Sequence, residues 1–133
     1  MTIGIKALVT DGIDIFFEDE SIVVINKQSG LLSVPGRAED NQDCVVNRLK
    51  IIRPNIIEQP AVHRLDMETS GLIVMVKTTS AHKHISRQFQ NKVVKKTYIA
   101  LVEGKIHDSE GTIELKFRLD PDNRPFQIYD NLH

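Results

Sequence analysis

The polar stretch His63-Arg64-Leu65-Asp66-Met67-Glu68-Thr69-Ser70-Gly71, set between apolar runs, constrains the fold more than any other part of the chain. After it, Leu72-Ile73-Val74-Met75-Val76 reads as a buried strand. Before it, Ala61-Val62 leads in, so the pattern predicts strand, turn, strand. Thr69-Ser70-Gly71 supplies turn chemistry, with hydroxyls that bond nearby backbone and a glycine free to take positive φ. A carboxylate held in such a turn at a sheet edge is either a structural cap on its own backbone or a reactive group. The rest of the chain bears on which.

At 133 residues, one domain with a real core is expected. No apolar run approaches the roughly 18–20 residues of a membrane-spanning helix, and Met1 to Lys6 lacks the apolar stretch of a signal peptide. The single cysteine, Cys44, rules out an intrachain disulfide and suits a reducing cytoplasm; between Asp43 and Val45-Val46 it reads as a small buried residue. The net charge of −1 conceals an asymmetry. Residues 1–44 carry eight acids against three bases, whereas residues 77–105 carry seven bases against Glu103 alone. That basic segment suits a polyanion as well as it suits a solvated helix face followed by a basic edge strand.

Ile13 to Phe17 and Ile22 to Lys27 read as a hairpin about the turn Glu18-Asp19-Glu20-Ser21, followed by a loop from Gln28 to Ala38. Asp43 or Asn41 is expected to cap a short helix through Val45–Ile51, which ends before Pro54. Thr78 or Thr79 is expected to cap a second helix, with Ala81, Ile85 and Phe89 on its apolar face and His82, Lys83, Ser86, Arg87 and Gln90 opposite. Residues 93–102 and 112–119 read as further strands, and Asp120 to His133 as loop. This order predicts an α+β fold: a mixed, largely antiparallel sheet with a few flanking helices. The loop-like ending suggests a chain cut short.

The chain has no G-x-G-x-x-G, P-loop or G-x-S-x-G signature. His63-Arg64-Leu65-Asp66 has the letters of a kinase catalytic loop, but neither a Gly-rich loop nor D-F-G accompanies it. His82 and His84 are two apart on a helix and do not share a face, so they are poor zinc ligands. What remains is Asp66 beside Arg64, a basic segment, and Tyr98 within a basic strand. A carboxylate serves as nucleophile or general base, an arginine contacts phosphate or fills the space of an extruded base, and a tyrosine ring stacks on a base. Singly, each has an ordinary structural explanation. Jointly they suggest chemistry on a nucleic-acid base.

His63-Arg64-Leu65-Asp66-x-x-Thr69-Ser70-Gly71 resembles the signature of RluA-type RNA pseudouridine synthases. Val23-Val24-Ile25-Asn26-Lys27-x-x-Gly30-Leu31 resembles that family's first motif, and Leu31-Leu32-Ser33-Val34-Pro35-Gly36-Arg37 the segment following it. Arg87-Gln88-Phe89, Lys95-Lys96-Thr97-Tyr98 and Ala100-Leu101-Val102-x-Gly104 resemble its helix and tyrosine strand. The similarity covers about residues 14–130 and is greatest to the branch modifying both 23S ribosomal RNA and tRNA. It implies isomerisation of uridine to pseudouridine without metal or cofactor. Asp66 is then the catalytic carboxylate, Arg64 the residue entering the helix as the uridine flips out, and Tyr98 the ring packed on uracil. His63, Thr69, Lys83, Arg87, Lys95 and Lys96 are the implied RNA contacts. The implied partner is structured RNA, a 23S ribosomal RNA hairpin, a tRNA anticodon stem-loop or both, and neither DNA nor membrane. Leu65 and Ile73 either shield the site or belong to the core.

Two departures stand out. Gln28 replaces the usual proline after Asn-Lys, and the family's later basic motif, with the cation that pairs with the catalytic carboxylate, is absent. With only about a dozen residues before the first expected strand, an amino-terminal S4-like domain is not expected. The expected organisation is an extension over residues 1–12 and a catalytic domain over 13–133 lacking its carboxy-terminal part. The rival expectations are a non-catalytic RNA-binding protein and a structural fragment.

Overall fold

Strands β1 (Val9–Thr10), β2 (Ile13–Glu18), β3 (Ile22–Lys27) and β4 (Gly71–Val76) form one antiparallel sheet in that order, in a computed structural model that describes residues 9–10, 12–124 and 126–130. The expected extension over residues 1–12 lies largely outside the described residues. The β2–β3 hairpin turns on Asp19, whose Oδ1 accepts the N–H groups of Ser21 and Ile22, each at 2.8 Å. Register puts Ile15 beside Ile25 and Ile25 beside Ile73, a branched row across three strands. With Ile13, Val23 and Met75 these residues form the buried face.

A bulge between Ile15 and Phe17 interrupts the alternation and leaves Phe16 and Phe17 both exposed. The run 72–76 is a strand but is not buried throughout. Leu72 is half exposed, because successive side chains alternate between faces and only one face of β4 is fully covered. The segment before the polar turn is not a strand; it makes one isolated bridge, Ala61 to Met75.

Helix α1 (Val45–Ile52) drives Val45, Val46 and Leu49 into this core. Its cap is Cys44, not Asp43 or Asn41: the Sγ accepts the Asn47 N–H at 3.4 Å. The Asp43 carboxylate is taken instead by Arg48, through Nε at 2.7 Å and Nη2 at 2.8 Å. The Val45 and Val46 N–H groups pair with the Leu32 and Ser33 carbonyls at 2.9 and 3.2 Å, tying the loop after β3 to the start of α1. Helix α2 (Thr79–Gln90) begins at Thr78, whose Oγ1 accepts the Ala81 N–H at 3.1 Å.

Glu18 joins the sheet to the residues after α1 and β4, accepting from Arg53 Nη2 at 2.8 Å and Lys77 Nζ at 2.9 Å. The Arg53 hydrogen bond outweighs burial, and with Lys77 holds the Glu18 carboxyl down at about 2 against an ordinary 4.5. A depressed carboxyl stabilises the fold above its unfolded pKa and loses that contribution as pH falls from about 4.5 through about 2. At about 1.4 kcal/mol per unit, discounted for the solvent screening of a partly exposed ion pair, this is about 1–2 kcal/mol. Urea melts of the unaltered chain should therefore weaken steeply over that window, and Glu18→Gln should flatten the dependence. Parallel curves would remove the assignment.

By chain contacts the protein divides into Met1–Lys96 and Thr97–His133. In the second unit, β5 (Phe117–Leu119) and β6 (Gln127–Tyr129) pair antiparallel. The expected strand over 93–102 does not form, and only the end of 112–119 does, while β6 arises in sequence read as loop. Residues 97–115 are exposed throughout; a strand persists only where a neighbour takes its backbone groups, and among the described residues none takes those of 97–115, whereas the Lys116 carbonyl accepts the Asp130 N–H at 2.8 Å beside β5. The α+β class, with largely antiparallel pairing and few helices, is as the sequence predicts.

Candidate active site

The Asp66 turn is closed by its backbone: the Thr69 N–H donates to the Asp66 carbonyl at 3.0 Å. The Asp66 carboxylate does none of this work. It is exposed, as is the Arg64 side chain, and among the described residues neither is in an ion pair. Among the described residues the Asp66 carboxylate therefore caps no backbone group of its own turn.

The turn rests on the loop that follows β3. Lys27 is 1% exposed, and its ammonium donates to the carbonyls of Gln28 at 2.9 Å, Leu31 at 2.6 Å and Met67 at 2.9 Å. All three ammonium donors are thus satisfied without a carboxylate. Burial pulls the Lys27 pKa down, against the opposing charges of Glu68 and Asp66. The Gly30 N–H also reaches the Met67 carbonyl, at 2.8 Å, from a backbone at φ +89° that favours glycine. Ser29 Oγ donates to the Glu68 carbonyl at 2.8 Å. Ser33 holds Leu65 from both sides, its Oγ donating to the Leu65 carbonyl at 2.6 Å and accepting the Leu65 N–H at 3.0 Å. Lys27 at the end of β3 and three residues of the loop after it therefore fix the backbone from Leu65 to Glu68 while the carboxylate faces solvent.

The stem of the turn is held from the other side. His63 Nε2 accepts the Val74 N–H at 2.9 Å, so that nitrogen is unprotonated, and the ring stacks on Phe89 with centroids 4.4 Å apart. Lys96 Nζ lies 5.4 Å from the Phe89 ring centre, a cation–π distance. Burial first, and the Lys96 charge second, push the His63 pKa below its ordinary value. Lys96 is thereby brought to the start of the Asp66 loop.

Thr69 is partly buried in the turn, and Lys83, Arg87, Lys95 and Lys96 are exposed. Lys83 and Arg87 are four apart and share one face of α2. Tyr98 lies in the second unit, 59% exposed and outside any strand. Leu65 and Ile73 are core residues. Cys44 is buried, as expected.

Lys27, Ser29 and Ser33 are anchors that the sequence reading did not single out as site residues. One signal was available for Lys27: it continues the inward phase of Val23 and Ile25 along β3, so alternation alone points a charge into the core. A cleft of about 460 Å³ lined by Glu20, Ile52, Arg53, Pro54, Asn55, Ile56, Lys77 and Thr78 lies beyond the Val76 end of β4, whereas the Asp66 turn precedes its Gly71 end. It contains none of the expected site residues. Among the described residues, no group of three metal-ligating side chains occurs and no helix is long and apolar enough to cross a membrane.

The family described as RNA pseudouridylate synthase matches residues 21–131, a span that takes in the Asp66 turn, the anchoring loop and α2. The chain belongs to that family. Among its relatives is the dual-specificity RNA pseudouridine synthase RluA of Yersinia pestis, 47% identical over 113 residues, which are 85% of this chain and 53% of the relative. RluA of Escherichia coli K12 is 44% identical over 113 residues, 85% and 50% of the two chains. RluA of Vibrio parahaemolyticus is 46% identical over 114 residues, 86% and 44%. A solved structure, human RNA pseudouridylate synthase domain containing 4, superposes with TM-score 0.48 at 27% identity, over 68% of this chain and 33% of that one. The chain spans about half the length of the curated relatives it matches.

Proposed function

We propose that this chain carries the catalytic carboxylate of an RNA pseudouridine synthase that converts uridine to pseudouridine in a 23S ribosomal RNA hairpin, a tRNA anticodon stem-loop or both. Residues 13–133 are its catalytic domain and residues 1–12 an extension. The observation that carries the proposal is the Asp66 turn, with its backbone clamped by Lys27, Ser29, Gly30 and Ser33 and its carboxylate free and exposed. A fixed backbone beneath an open acid is what a group acting on a bound nucleoside needs.

In this reaction the N1–C1′ bond breaks, the uracil turns, and a C5–C1′ bond forms. The C5 proton leaves to a base and N1 gains a proton, so atoms balance without a cofactor. Asp66 acts on the flipped nucleoside, Arg64 occupies the space it vacates, and Tyr98 packs on the uracil. His63 and Thr69 shape the turn on the RNA side. Lys83, Arg87, Lys95 and Lys96 contact phosphates. A cytoplasmic setting fits a chain whose one cysteine is buried as a helix cap.

RNA containing 5-tritiated uridine tests the activity, because tritium is released to water when C5 loses its hydrogen. Release from either stem-loop is expected. Binding to both without release from either would refute the proposal and leave the alternative, an RNA-binding fragment without turnover. For the phosphate contacts, Lys95→Gln with Lys96→Gln should lower the slope of log affinity against log salt by about 1.4–1.8. An unchanged slope would remove these two lysines from the interface.

A further inference from the structure

We infer that Ser33 is a positioning residue for Asp66, its hydroxyl locking both backbone groups of Leu65 and so fixing the direction in which the next residue presents its carboxylate. This rests on the functional reading of Asp66 given above. Ser33 is 3% exposed, and its Oγ donates to the Leu65 carbonyl at 2.6 Å while accepting the Leu65 N–H at 3.0 Å. A side chain that takes both backbone groups of one residue replaces what a neighbouring strand would supply. No strand runs through residues 62–70, so this hydroxyl is the local substitute for a ladder.

The hydroxyl is itself held. The Ser33 carbonyl accepts the Val46 N–H at 3.2 Å, the Leu32 carbonyl accepts the Val45 N–H at 2.9 Å, and Leu32 bridges Cys44. The start of α1 therefore fixes Ser33, Ser33 fixes Leu65, and Leu65 sets the backbone entering Asp66. Leu65 is also a core residue, so its side chain and its backbone are held from different directions. Lys27 and Gly30 act one residue beyond Asp66, on the Met67 carbonyl, and leave the entry to the turn to Ser33.

Two measurements on the full chain decide the matter. In Ser33→Ala, amide hydrogen exchange should speed up at Leu65 while Ile25 and Ile73 in the sheet keep their protection, and Ser33→Thr, which retains the hydroxyl, should keep Leu65 protected. Unchanged Leu65 exchange in Ser33→Ala would overturn the inference. So would loss of protection at Leu65, Ile25 and Ile73 together, which would mark a merely structural role. In the tritium assay, kcat of Ser33→Ala should fall about 100-fold with KM for RNA unchanged, as a misplaced catalytic group requires; an unaltered kcat would also overturn it. If the unaltered chain releases no tritium, the functional reading is what has failed. The Leu65 exchange result then still stands or falls by itself as evidence for the lock.

Discussion

Lys27→Met should lower the stability of the chain by about 3 kcal/mol, although methionine nearly matches the volume removed. The ammonium is 1% exposed and gives each of its three donors to a carbonyl: Gln28, Leu31 and Met67. Replacing it strands three buried acceptors, two from the loop after β3 and one from the Asp66 turn. Relief from burying a charge offsets part of the loss, which is why the expected value lies below the sum of three charge-assisted bonds. Lys27→Arg should not restore stability, because a planar guanidinium cannot aim three donors at carbonyls arranged around a compact ammonium. Thermal melts check both, with a fall of roughly 10 °C expected for the methionine variant. A melting temperature within a degree or two of the unaltered chain would show that the ammonium does not tie the two loops together.

Local chemistry made much of the first unit legible in the sequence. Alternation and the Glu18–Ser21 turn gave the β2–β3 hairpin, and the four-residue recurrence of Ala81, Ile85 and Phe89 gave α2 together with its Thr78 cap. Polar contacts between distant segments were not legible. Asp43 looks like a helix cap until Arg48, five residues on, claims its carboxylate. Ser33 and Leu65 are 32 residues apart, and Lys27 and Met67 are 40 apart, so no local pattern announces either pair. The expected strand over 93–102 fails for a different reason: strand-like composition gives the propensity, but pairing needs a neighbour, and Ile99 and Leu101 remain fully exposed. The catalytic candidates Arg64 and Asp66 were found by motif. Their support was found only in three dimensions.

Asp66→Asn should abolish turnover while leaving the fold and RNA binding intact. The side chain is exposed and makes no ion pair among the described residues, and the turn closes through the Asp66 carbonyl, which the substitution keeps. The expected effect on stability is therefore within about 0.5 kcal/mol. An amide of the same shape cannot act as nucleophile or base, so tritium release should fall by about 1,000-fold or more. The most direct test of the account is single-turnover tritium release by the unaltered chain and by Asp66→Asn on the same RNA stem-loop, at protein concentrations that saturate binding. The account predicts release by the former, essentially none by the latter, and equal RNA affinity for both. Comparable release by the two proteins would contradict it.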